Sequence, residues 1–147
     1  MTDGITLTIK RSITVRAVVT PLWKEEAERE LATAISNSDL QLSQLEQEGQ
    51  QITDQIRRQS ANPLDPRVQE QVESVQQQVA VKRAELEEQR RQLLEQQRQV
   101  RELEYEAVVE QGQLESQVSV AVGDNLVQKL QAAILVRDGV IEAIEGI

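Results

Sequence analysis

The sequence predicts an α+β protein: a long antiparallel coiled-coil hairpin of two helices, inserted between the N- and C-terminal strands of a small antiparallel β-module. Three observations carry this reading. Apolar residues alternate near both ends of the chain, they recur at spacings of four and three through the middle, and a pair of prolines divides the middle in two.

The first alternation runs from Ile5 to Val19. Ile5, Leu7, Ile9, Ile13, Val15, Ala17 and Val19 hold odd positions, and Thr6, Thr8, Lys10, Ser12, Thr14 and Arg16 hold even ones. A period of two with many β-branched residues is a half-buried strand, and at this length Arg11 and Ser12 are expected to mark a bend that splits it. Thr20-Pro21 then changes the period: Thr is a good N-cap, and Pro is pre-organised for the first helical position. From there Leu31, Ile35, Ser38, Leu42, Leu45, Gly49, Ile52 and Ile56 form a seam of period 3.5.

Asn62-Pro63-Leu64-Asp65-Pro66 stops this first helix near Ser60, and Asp65-Pro66 repeats the cap-then-proline logic to start a second. The second seam runs Val68, Val72, Val75, Val79, Lys82, Leu86, Gln89, Leu93, Gln96, Val100, Leu103 and Ala107. Lys82, Gln89 and Gln96 are its polar members, which either fix the register of the pair or face solvent. Two helices of similar length joined by a short turn fold back on each other. This sets residues 22–111 as the hairpin, with its turn at 61–65, and residues 1–21 and 112–147 as the β-module. Trp23 and Tyr105 are expected to fill the junction at the hairpin's base.

After Gly112 the period returns to two at Leu114, Val118, Val120 and Val122. Gly123-Asp124 turns the chain, and Asn125–Leu130 is expected to form a short helical turn capped by Asp124. Ala133–Arg137 and Val140–Ile144 flank Asp138-Gly139, a strong signal for a two-residue hairpin turn.

Composition narrows the function classes. The 147 residues include no Cys, no His and no Phe, which removes disulfides, thiolate metal sites and the commonest general base. The reading is therefore non-enzymatic, with no catalytic residue, no cofactor and no metal. Twenty-five acidic against sixteen basic residues give a net charge of −9, which disfavours nucleic acid as a partner. The helical Glu residues read as a solvated face with i,i+4 partners rather than a catalytic pair. The N-terminal segment lacks the pattern of a signal peptide, and no apolar run approaches the roughly 20 residues of a bilayer span. A cytoplasmic protein is expected, without a membrane partner.

The chain resembles the YlqD family of bacterial proteins, whose pattern is an N-terminal strand, a charged coiled-coil middle and a terminal Val-Gly-Asp…Val-x-Asp-Gly-Val block. The matching segments are Ile13-Thr-Val-Arg-Ala-Val-Val-Thr, Val118-Ser-Val-Ala-Val-Gly-Asp-Asn-Leu and Ile134-Leu-Val-Arg-Asp-Gly-Val-Ile-Glu-Ala-Ile. The resemblance implies no assigned activity and no catalytic residues. It also implies proximity, in genome order, to ribosome-maturation and tRNA-modification genes.

Lys10, Arg11 and Arg16 make the first 22 residues locally basic, at +2, while every later zone is acidic. They are the candidate interaction residues, and their ordinary role is to discourage sheet aggregation. Two function classes follow. The first is a structural or interaction protein whose β-module assembles with copies of itself and whose protein partner the sequence does not name. The alternative is a ribosome- or RNA-associated accessory factor that binds through the β-module, although no aromatic stands among the three cations to stack a base.

Overall fold

The computed structural model describes residues 4–146. The elements are β1 (Thr6–Val18), α1 (Pro21–Gln59), α2 (Pro66–Glu102), β2 (Val108–Ala121), α3 (Leu126–Leu130), β3 (Ala133–Arg137) and β4 (Val140–Glu145). They group into two compact units. One joins the chain up to Glu26 with the chain from Glu102 onward, and the other is Ala27–Arg101.

The first unit is a four-stranded sheet in the order β2-β1-β3-β4. β1 pairs antiparallel with β2 along its whole length, from Thr6↔Ala121 to Val18↔Val108, and the ladder runs through Arg11 and Ser12 without the expected bend. On its other side β1 pairs with β3 in parallel, but only over Thr14–Ala17. β3 and β4 form the expected antiparallel hairpin. Asp138 and Gly139 both have positive φ, 50° and 84°, as a two-residue primed turn requires. The sheet is therefore mixed, where the sequence predicted an antiparallel one. Alternation records which face a residue takes and is silent on strand direction. Here α3 reverses the chain after β2, so β3 enters on the far side of β1 running the same way.

Burial is greatest where β1 has a neighbour on both sides. Ala17, Val18 and Val19 at its end are buried, with Val19 at 0% exposure, and Ala133 of β3 joins them. Thr20 follows and caps α1 as predicted, its Oγ1 accepting from the Trp23 N–H at 3.1 Å. Tyr105 corrects the expectation of an aromatic plug: it is 59% exposed, and its ring carries the Lys24 ammonium 4.9 Å from its centroid. A cation over a ring face does not need a dry pocket.

The second helix also stops earlier than its seam suggested. α2 ends at Glu102, and Glu106 takes φ 73°. Its N–H donates to the Val19 carbonyl at 2.7 Å, and the Val19 N–H donates to the Ala107 carbonyl at 2.8 Å. Val108-Val109 then opens β2 six residues before Leu114. Ala107 matched the helical seam, but two consecutive β-branched residues and the ladder to β1 hold this stretch as strand. The short helix α3 is capped by Asn125, whose Oδ1 accepts from the Gln128 N–H at 3.2 Å. Asp124 instead ends β2, its Oδ2 accepting from the Ala121 N–H at 2.8 Å.

The second unit is an antiparallel helix pair. Glu28–Arg101 (3.0 Å), Asp39–Arg90 (2.6 Å) and Glu46–Arg83 are ion pairs between α1 and α2. Eleven and then seven residues are stepped on both helices, in opposite directions, which is the signature of antiparallel pairing. The turn between them is tied locally: Asn62 Oδ1 accepts from the Leu64 N–H at 3.1 Å, and Asp65 Oδ1 caps α2 through the Arg67 N–H at 2.9 Å.

Packing between the helices departs from a strict 3.5 repeat in the same region of both. On α1 the buried positions are Ser38, Gly49 and Thr53, and Ile52 is 46% exposed. On α2 Val72 and Leu86 are buried, while Arg83, Arg90 and Gln97 are half-buried in place of Lys82, Gln89 and Gln96, which are exposed. Each helix takes an extra step of four, from Gly49 to Thr53 and from Val79 to Arg83. A straight helix drifts by about 20° per heptad against a strict seven-residue repeat, and such a step resets it. The three polar seam residues thus face solvent, and Lys82 pairs with Glu85 at 3.6 Å on its own helix.

Candidate functional site

Directly paired residues of adjacent strands project to the same side of a sheet, so the registers divide the side chains into two faces. One face is apolar. It carries Leu7, Ile9, Ile13 and Val15 of β1 beside Val120, Val118 and Leu114 of β2. It continues through Ile134 and Val136 of β3 to Ile144 and Ile141 of β4. Much of it is open: Leu7 is 65% exposed, Leu114 55%, Ile144 54% and Ile141 53%. The other face is polar, with Thr8, Lys10, Ser12, Thr14 and Arg16 beside Ser119, Gln117, Glu115 and Gln113.

The three cations singled out by the sequence are not one cluster. Lys10 and Arg16 lie on the polar face, and Arg11 lies on the apolar one. Arg11 turns its donors onto the chain itself. Its Nη1 donates to the Lys129 carbonyl at 2.8 Å and to the Gly146 carbonyl at 2.9 Å, and its Nε reaches Ser116 Oγ at 3.4 Å. It ties the end of α3 and the end of β4 to β1. Arg16 stands 3.9 Å from the Glu145 carboxylate.

A cleft of about 940 Å³ opens on the polar side, with Thr14, Arg16, Asp124, Gln128, Lys129 and Glu145 among its walls. Two cations and two carboxylates balance one another there, so the cleft selects no ionic ligand by charge. Among the described residues no three carboxylates are grouped to hold a metal ion.

A second polar network went unseen in the sequence. Arg137, the last residue of β3, donates to both Glu106 oxygens at 2.7 and 2.6 Å and to Glu142 at 2.5 Å. The hydrogen bond from Arg137, followed by its charge, holds the Glu106 carboxyl below the usual carboxylate range. Thr20 adds a hydrogen bond to Asp138 of the adjacent turn. The network holds the left-handed Glu106, the Asp138-Gly139 turn and the start of α1 together. Glu106 and Arg137 are 31 residues apart, and no local spacing announces them.

These features define a small mixed sheet with one open apolar face, from which an antiparallel helix pair interrupts the chain between β1 and β2. The chain belongs to the YlqD family: the model of that family, described as YlqD protein, matches residues 7–145. It is also similar to a solved crystal structure, described as a protein of unknown function from Synechococcus sp. WH 8102. The two are 72% identical, the match covers 99% of this chain and 98% of that one, and the TM-score is 0.86. No curated protein matches. Among the described residues no helix is long and apolar enough to cross a membrane.

Proposed function

We propose that the chain is a non-enzymatic structural and interaction protein, whose β-unit assembles with copies of itself and carries the helix pair as a coiled coil. The open apolar face of the sheet carries this reading. At roughly 3.3 Å per residue and 4.8 Å per strand, a ribbon of β1 and β2 with β3 and β4 alongside has a flat footprint of roughly 600 Å². The corrugated accessible area is larger, and so comparable with the roughly 800 Å² that each partner gives to a stable interface of standard size. A second copy presents the same apolar chemistry and fits by symmetry. The RNA-binding alternative finds less support, because Arg11 bonds the chain's own carbonyls and Arg16 lies beside Glu145.

Ile144 tests the face. It is 54% exposed in the single chain, so Ile144→Lys leaves the fold of one copy nearly undisturbed. Sedimentation velocity of the wild type is expected to show an assembly, and that of the variant a smaller particle with fewer copies of the 16.6 kDa chain. A variant that stays fully assembled moves the interface elsewhere, and a monomeric wild type removes the proposal.

A further inference from the structure

The edge of the sheet carries a more specific inference, which rests on the self-assembly proposed above. β2 is an edge strand of fourteen residues, paired among the described residues only with β1. Such a row of unpaired N–H and C=O groups is a template for another strand, and proteins usually blunt it with Lys, Pro or shortness. β2 has no Lys, Arg or Pro between Val108 and Ala121.

The phase of its hydrogen bonds can be read from β1. The Thr14 N–H donates to the Ala132 carbonyl at 3.0 Å, so the polar groups of Thr14 face β3. Gln113, its partner on β2, is then in a non-hydrogen-bonded pair and turns its own N–H and C=O outward. By alternation the same holds for Glu115, Gln117 and Ser119. Ala121 agrees with this phase, since both its N–H and its carbonyl are taken by Asp124 outside the ladder. Asp124 therefore closes one end of the free edge. The bulge between Val15 and Arg16, which places Gln111 as an extra residue in β2, closes the other. The regular free stretch is 112–120, and Ser116 is its midpoint.

We propose that two copies of this chain pair antiparallel along β2, with the two-fold axis passing through Ser116. Gln113 then meets Ser119 of the second copy, and Glu115 meets Gln117. Each of the four outward residues gives one N–H and one C=O, so eight backbone hydrogen bonds form. On the apolar face Leu114 lies against Val118, which joins the apolar faces of the two copies into one. On the polar face no carboxylate meets another. Moving the axis one residue to Glu115 would set two carboxylates directly opposite, which is unfavourable. The Ser116 pair is non-hydrogen-bonded, with Cα atoms about 4.5 Å apart. That is within the span of a disulfide.

Cysteine scanning tests this in a chain that has no cysteine of its own. Ser116→Cys under mild oxidation at micromolar concentration is expected to give a covalent dimer in most of the protein. Gln117→Cys, whose two copies lie diagonally across the axis and beyond bonding distance, is expected to give little. Equal cross-linking of both variants, or none from Ser116→Cys, overturns the pairing. Light scattering of the wild type separates the two proposals. An assembled wild type without the Ser116 cross-link leaves self-assembly standing and removes the β2 axis, whereas a monomeric wild type removes both.

Discussion

Gly49 is where the packing of the helix pair can be tested most sharply. It is buried inside α1, and a methyl group built on its Cα would sit 2.8 Å from Val79 Cγ2. Ordinary contact begins some 0.6 Å farther out, and the valine side chain has little rotamer freedom in a helix. Gly49→Ala should gain about 1 kcal/mol from helix propensity. Against this, overpacking a tight contact costs about 1–3 kcal/mol. The variant is therefore expected to lose about 1 kcal/mol net. Val79→Ala removes the offending Cγ2 methyl. In that background Gly49→Ala meets only the residue 79 Cβ, at an ordinary contact distance of 3.8 Å, and should stabilise by about 1 kcal/mol, the full propensity gain. The coupling between the two positions is then about 2 kcal/mol, within the range for residues in contact. Urea unfolding of the four chains, followed by circular dichroism at 222 nm, measures it. If Gly49→Ala stabilises equally in both backgrounds, the helices do not meet at Gly49 and Val79, and the register drawn from the ion pairs is refuted.

The remaining predictions concern polar groups. Ser38 Oγ is buried without a hydrogen-bond partner among the described residues. Ser38→Ala should therefore stabilise the helix pair by about 1 kcal/mol, counting the unsatisfied hydroxyl and the better helix former together; an unchanged or lower urea midpoint would contradict this. The Glu106 carboxyl, lowered chiefly by the Arg137 hydrogen bond, binds fewer protons folded than unfolded. Its contribution is complete above the ordinary carboxylate value of about 4.3 and is lost as pH falls through the depressed folded value. An acid titration followed by Trp23 fluorescence should show Glu106→Gln less stable than wild type at neutral pH and converging with it in acid. A constant gap at all pH values would mean that the ion pair contributes nothing of its own.

Much of the architecture was legible because it rests on local rules. Thr20-Pro21 and Asp65-Pro66 are caps followed by prolines, and both helices begin there. Asp138-Gly139 demanded a primed turn and makes one. What stayed hidden depends on partners distant in the chain. The parallel pairing of β1 with β3 follows from where α3 delivers the strand. Ala107 suited a helical seam by spacing, yet its ladder to Val19 decides its state. The shift from Lys82 to Arg83 arises because a real helix keeps 3.6 residues per turn while a counted seam keeps 3.5. Lys10, Arg11 and Arg16 looked like one basic patch in the sequence. Alternation should have split them, since Arg11 shares its parity with Ile9 and Ile13. Arg137 could not have been singled out, because its carboxylate partner Glu106 comes from another part of the chain.

Self-assembly through the sheet is the central claim, and the mass of the wild-type chain in solution tests it most directly. Multi-angle light scattering behind size exclusion, run across micromolar concentrations, is independent of particle shape. The open apolar face and the self-complementary β2 edge require a mass that is a multiple of 16.6 kDa, at least two chains per particle. A mass of 16.6 kDa at every concentration would mean that the sheet is satisfied in a single chain, and would contradict the account.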